Sequence, residues 1–176
     1  MMNITLRSLG VAALVASLPL ATASGVLANP VPTTDELGSL GTAASNDEVS
    51  EGLTAEAHQT ERSESGSLVS VTWSVENNGA EKVFFNWPAG TSYMYSLTTY
   101  YSGVTATSTE KDMRYHPIMD GESDCLCSGK LSNDFKEIIN PGEQVAYWSM
   151  FSVPSDVDTI TLEIPGFDPI EDIPIS

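Results

Sequence analysis

From Val69 the chain alternates strictly, with Val69, Val71, Trp73 and Val75 on one side and Ser70, Thr72, Ser74 and Glu76 on the other. That is the period of a half-buried β-strand. Asn77-Asn78-Gly79 tolerates positive φ and predicts a turn into Lys82–Trp87 as the antiparallel partner. Pro88-Ala89-Gly90 ends that segment, and Ser92–Tyr101 alternates again with Tyr93, Tyr95 and Leu97 on one face. Val104–Ser108 and Met113–Met119, joined by a polar turn at Thr109–Asp112, read as a second hairpin. Pro117 in its returning arm implies an edge position or a bend. Asp120–Gly129 is a loop by composition, and Phe135–Ile139 is short and apolar. Asn140-Pro141-Gly142-Glu143 is a turn signal leading into the long segment Gln144–Val153. Thr159–Ile164 follows with Ile160, Leu162 and Ile164 inward, and Ile170–Ile175 makes a last edge strand limited by Pro169 and Pro174.

Seven or eight short strands near ten-residue spacing, with no amphipathic helical stretch, predict an all-β protein. The expected architecture is an immunoglobulin-like antiparallel β-sandwich over residues 67–176. Two earlier stretches follow other patterns. The apolar run Leu9–Leu20, preceded by Arg7 and followed by Ala21-Thr22-Ala23, has the form of a signal peptide, residues 1–23, cleaved before Ser24. A second cut after Ala28 gives nearly the same terminus. The run is too short for a spanning helix, and no other segment reaches the roughly 20 apolar residues required. No lipid-accepting cysteine stands near the cut, so the expectation is a released, extracellular protein without membrane insertion.

Residues 24–66 predict a disordered acidic linker. From Asn29 to Ser65 the chain holds eight carboxylates against Arg62 alone, and no aromatic ring. Such a segment has too little apolar area to offset its ordering entropy. Asn46–Ala57 has an N-cap flavour and predicts at most a transient helix, weakened by Gly52.

Charge narrows the partners. With 24 acidic residues against 7 basic ones the net charge is −17. Nucleic acid and anionic lipid both require Lys and Arg to release counterions, so neither is an expected partner. Carboxylates at this density suit a protein kept hydrated in a salty medium, or one that meets a cationic partner.

Several local sequences carry a resemblance. Val75-Glu-Asn-Asn-Gly79, the Asn140-Pro-Gly-Glu143 turn, Phe151-Ser-Val-Pro154 and Ile170-Glu-Asp-Ile-Pro-Ile175 resemble exported immunoglobulin-like domains of actinobacteria. That class includes the mycobacterial secreted immunogenic antigen type with a telokin-like sandwich. Arg114-Tyr115-His116-Pro117-Ile118 followed by Cys125-Leu126-Cys127-Ser128 adds to the likeness, which spans roughly Leu68 to Ile175. The resemblance implies fold and compartment and transfers no catalytic residue.

Chemistry-bearing residues are few. Cys125 and Cys127 are the only cysteines, and in an exported chain such a pair is usually bonded. Residues i and i+2 of an extended segment stand too far apart for a disulfide, so a tight turn is required. A bridge closing so small a loop gives only about 1.5 kcal/mol by the chain-entropy argument. Two other states stay open: free or redox-active thiols, and a Cu(I) site of Met113, His116, Met119, Cys125 and Cys127, whose thioether, imidazole and thiolate groups suit that ion. Against the copper set, residues three apart on a strand face opposite ways, so His116 leaves the face shared by Met113 and Met119.

Asp120, Glu122 and Asp124 match the first three ligand positions of a calcium loop, but Cys125 replaces the required Gly and Leu131 the bidentate Glu. His116 is the only histidine expected in the folded part, with His58 in the linker, and no nucleophile or phosphate-loop motif appears. Of the aromatic residues, Trp73, Phe85 and Tyr147 fall on the apolar side, while Phe84, Tyr100 or Trp148 are the rings available to face outward for stacking on sugars or docking a protein. The sequence therefore predicts a monomeric, non-enzymatic binding protein without cofactor, its partner an unidentified protein or envelope component. Copper handling and a purely structural surface antigen are the alternatives.

Overall fold

The computed structural model describes residues 37–90, 94–133 and 135–176. The expected signal peptide, the first part of the expected linker and Tyr93 lie outside them. The described chain is all β: β1 (Gly41–Ala44), β2 (Leu53–Arg62), β3 (Leu68–Asn77), β4 (Val83–Phe84), β5 (Thr105–Ser108), β6 (Met113–Tyr115), β7 (Ile138–Ile139), β8 (Gln144–Ser152), β9 (Thr159–Glu163) and β10 (Ile170–Pro174). One four-stranded sheet has the order β1-β2-β3-β8, a second has β10-β9-β5-β6, and β4 pairs with β7 in a short ribbon. All pairings are antiparallel. With β2, β3 and β8 as strands A, B and E, and β5, β6, β9 and β10 as C, C′, F and G, this is the immunoglobulin Greek key. β1 is an additional strand at the edge.

The inward residues are those the alternation selects. Val69, Val71, Trp73 and Val75 of β3 and Ile160 and Leu162 of β9 are buried in one core between the sheets. Trp73 lies at its centre, 4.8 Å from the ring of Tyr147 and 6.2 Å from those of Phe85 and Tyr101. Such ring pairs add about 0.5–1.5 kcal/mol each beyond their burial. Their polar atoms are matched: the Trp73 indole donates to Ser149 Oγ at 3.3 Å, the Tyr147 hydroxyl to the Lys136 carbonyl at 2.9 Å, and the Tyr101 hydroxyl to the Phe85 carbonyl.

Two expectations are corrected. Lys82–Trp87 does not pair with β3, because β2 and β8 occupy both of its edges. Asn77 diverts the chain instead. Its side-chain amide donates to the carbonyls of Glu81 at 2.8 Å and Ile139 at 3.0 Å, and its Oδ1 accepts from Gly79 N at 2.9 Å. One side chain thus fixes the exit from β3 and steers β4 onto β7.

The larger correction concerns the linker. Residues 41–62 are ordered into β1 and β2, and Asn46–Ala57 forms no helix beyond one 3-10 turn at Glu48–Ser50 before β2 begins. In β2, Leu53, Ala55 and Ala57 face the core while Thr54 and Glu56 face out, an alternation disguised by the smallness of alanine. Small side chains suffice because β2 is paired on both edges and its backbone groups are satisfied there. At Gly41 a Cβ would stand 2.7 Å from Ile170 Cγ2, so β1 packs directly against β10. The folded domain therefore does not begin at residue 67; it includes at least Gly41 onward.

Candidate functional site

The residues singled out in the sequence are distributed as follows. Cys125 and Cys127 are bonded, with Cα atoms 5.3 Å apart. They sit in a hairpin whose arms Pro117–Met119 and Cys125–Cys127 lie along the free edge of β8. Ile118 N donates to Met150 O at 2.9 Å and Met150 N to Leu126 O at 3.0 Å. Tyr95 closes the hairpin from outside, its hydroxyl donating to the Pro117 carbonyl at 2.6 Å, and Tyr100 packs on the buried disulfide. Burial holds the Tyr95 phenol above its ordinary value. With both sulfurs in the bond, the copper set lacks its two thiolates in this state. Met113 and Met119, 49% and 44% exposed, belong to different structures: Met113 pairs with Ser108 in β6, and Met119 pairs with Cys125 in the hairpin. His116 is exposed between them.

Asp120 is engaged within its own loop, where Oδ1 accepts from Glu122 N at 3.0 Å and Asp124 N at 2.9 Å. Its carboxylate closes the turn, with Ser123 at φ 68°. Among the described residues no three His, Cys, Asp or Glu side chains gather as metal ligands. Phe84 points outward, and Trp148 and Tyr100 are half-buried.

His58 is a correction of its own. It is buried in β2, not in a tether, with Nδ1 3.0 Å from the Gly38 carbonyl and Nε2 2.7 Å from Ser74 Oγ. Gln144 Nε2 donates to Ser74 Oγ at 2.9 Å and to Glu56 at 3.0 Å. A proton on Nδ1 satisfies every group: His58 donates to Gly38, and Ser74 donates to His58 while accepting from Gln144. The arrangement superficially matches a nucleophile and its base, but Ser74 is fully buried, so no substrate reaches its hydroxyl. It holds the Leu37–Leu40 segment against the sheet.

A site that the sequence did not indicate lies on the outer face of the second sheet. Alternation in β5 turns Ala106 inward and leaves Thr105 and Thr107 on the other face. The register sets Thr105 opposite Glu163 of β9 and Thr107 opposite Arg114 of β6. Arg114 and Glu163 therefore stand two strands apart and two residues out of line, roughly 12 Å at the backbone. The arginine spans that gap across β5. Its Nη1 approaches Glu163 Oε2 at 2.6 Å, Nη2 donates to Oε1 at 3.1 Å, and Nη1 also reaches Thr105 Oγ1 at 3.3 Å. The pair remains accessible, with side-chain exposures of 53% and 29%.

Beside this fork opens a cleft of about 300 Å³, lined by Pro165, Pro169 and Asn46 among others, with the Phe167 ring turned into the core behind it. A second cleft of about 300 Å³, bordered by Thr107, Asp112 and Met113, lies on the other side of Arg114. The Pro165–Phe167 turn is fixed from behind. Trp87 Nε1 donates to Pro165 O at 2.8 Å, Asn46 N to Gly166 O at 3.0 Å, and Asp168 N to Ala44 O at 3.0 Å. Ser50 Oγ also donates to Gly166 O. Ser50 is placed by the 3-10 turn that Asp47 caps, its Oδ1 accepting from Val49 N at 3.1 Å. Thus Asn46 and Ser50, from the stretch expected to be disordered, form and buttress a wall of the cleft. The signal available in the sequence was Asp47 two residues before Val49, followed by the Leu53/Ala55/Ala57 alternation. The arrangement offers hydrogen-bond donors and acceptors beside a turn with two prolines, Pro165 and Pro169, and among the described lining residues there is no cysteine, histidine or serine.

No family model matches the chain, and no curated protein matches it. Among solved structures, a functionally unknown protein from Listeria monocytogenes EGD-e is similar, with a TM-score of 0.41 and 13% identity over 78% of this chain and 85% of that one.

Proposed function

We propose that this chain is an exported, non-enzymatic immunoglobulin-like binding domain that acts outside the cell or at its envelope, through the outer face of β10-β9-β5-β6. The observation that carries the reading is the pair of clefts flanking Arg114 on one sheet face. Immunoglobulin-type sandwiches are scaffolds, and function resides in the site they present. Here the site is a preorganised cleft, which limits the ordering cost of binding. The signal-like residues 1–23, the acidic surface and the local likeness to exported actinobacterial domains support the compartment.

Two measurements test the proposal. Mass spectrometry of the culture medium should recover a chain beginning at Ser24 or Asn29; retention in the cytoplasm with Met1–Ala23 intact sinks the compartment. A photo-crosslinking residue at Thr107 should capture an envelope or extracellular component, and the capture should fall at least tenfold when Arg114→Ala is added. Equal capture by both proteins removes this face as the binding surface.

A further inference from the structure

We propose that the cleft beside the Arg114–Glu163 fork takes a neutral polyhydroxylated ligand, a sugar ring; this rests on the reading of the same face as the binding surface. Four features of the cleft lead there. First, its two charged groups neutralise each other through both guanidinium nitrogens and both carboxylate oxygens. An anion entering the cleft must displace Glu163 and approach a chain of net charge −17, and a cation must displace Arg114. Charge therefore selects neither, and a neutral ligand bears neither cost.

Second, the polar groups present both halves of a hydrogen bond side by side. The guanidinium keeps N–H donors beyond those given to Glu163 and Thr105, the carboxylate keeps an unused lone pair, and Asn46 adds an amide, while the buried Thr105 hydroxyl, donating to Glu163 and accepting from Arg114, holds the fork in place. Adjacent sugar hydroxyls each donate and accept, and match such an alternation. Arg is also suited to planar, two-point recognition of neighbouring oxygens.

Third, Pro165 and Pro169 give an apolar edge against which the C–H face of a ring can rest, with Phe167 buried behind them in the core, and about 300 Å³ is at the lower end of small-ligand clefts. Fourth, the wall is rigid. Trp87, Asn46 and Ser50 hold the Pro165 and Gly166 carbonyls from the protein side, so the turn presents one shape before any ligand arrives.

The test is an amide NMR titration of the intact protein with cellobiose, maltose and N,N′-diacetylchitobiose, with glucuronate and an acidic peptide as comparators. At least one neutral sugar should shift the Thr105, Glu163 and Gly166 amides saturably, with a Kd on the order of 1 mM, as for a shallow single-ring site. Arg114→Ala should weaken that sugar tenfold or more without lowering the melting temperature. Glu163→Gln, which leaves the arginine uncompensated, should weaken it similarly and create affinity for glucuronate. Absence of a saturable shift with every neutral sugar overturns the proposal. If glucuronate or the peptide moves those amides in the unmodified protein and the sugars do not, the sugar assignment fails while the face remains a binding surface. If none binds and crosslinking at Thr107 is also indifferent to Arg114→Ala, both readings fail.

Discussion

Trp87 and Gly166 are fitted to each other: the indole Nε1 that donates to the Pro165 carbonyl lies 3.1 Å from where a Cβ on Gly166 would stand. Ser50 crowds the same point, its Oγ also 3.1 Å away. The turn that walls the cleft thus needs a residue without a side chain, and Gly166 holds a φ of +90° that other residues rarely adopt.

Gly166→Ala should accordingly be costly in two ways, through φ strain and through displacement of Trp87 and Ser50. We expect a loss of about 1–3 kcal/mol in urea unfolding, the range for a forced left-handed residue. The cleft-facing amides should also broaden. An unchanged midpoint would show that the turn is not held from behind as described.

Ser74→Ala removes the hydroxyl shared by His58 and Gln144 and leaves two polar side chains short of a partner in a buried place. The expected cost is about 1–3 kcal/mol. Hydrogen exchange at Leu40 N, which donates to Ala57 O at 2.7 Å, should quicken more than exchange in β9. Uniform quickening would mean that His58 does not specifically anchor the Leu37–Leu40 segment.

Glu143 closes the turn before β8. The Lys136 ammonium, the Asn140 backbone amide and the Asn140 side chain hold its carboxyl at about 2, below the ordinary 4.5. A depressed folded-state value contributes stability that is present above the unfolded value and disappears as pH falls toward 2. Unfolding of the wild type and of Glu143→Gln, followed from pH 6 down to pH 2, should therefore differ most at the upper end and converge in acid. Parallel curves would refute the linkage.

Replacing both Cys125 and Cys127 by Ser should cost only about 1.5 kcal/mol, because so few residues lie in the closed loop. The sandwich should remain folded, with the change in exchange confined to Pro117–Ser128 and its β8 neighbours. Global unfolding of the double variant would contradict this. The unmodified chain should weigh two hydrogens less before reduction than after it.

Legibility in the sequence followed burial. Where large apolar side chains alternate, as in Val69–Val75 and Ile160–Ile164, strand and inward face were both readable, because a period of two leaves one way to bury them. Where burial falls on Ala55 and Ala57, the same geometry was hidden in a segment of acid and small residues. Partner choice was hidden as well. Asn77-Asn78-Gly79 marked a turn correctly, yet the bonds from Asn77 to Glu81 and Ile139, the latter 62 positions away, send the chain elsewhere.

The sequence by itself determined the all-β class, the inward faces of β3, β8 and β9, and the net charge of −17. The i, i+2 cysteines could not bond across a straight extended segment, and in the structure the hairpin arm bends at Leu126 between them, with Cα atoms 5.3 Å apart. Only the tertiary structure decided that residues 41–62 belong to the sandwich, that His58 is a buried anchor, and that Asn46, Thr105, Arg114 and Glu163 share one cleft. The reason is that side-chain periodicity is a local property of the chain. Strand order and register, which carry Arg114 across β5 to Glu163, are set by pairings between distant segments whose backbone groups must be satisfied together.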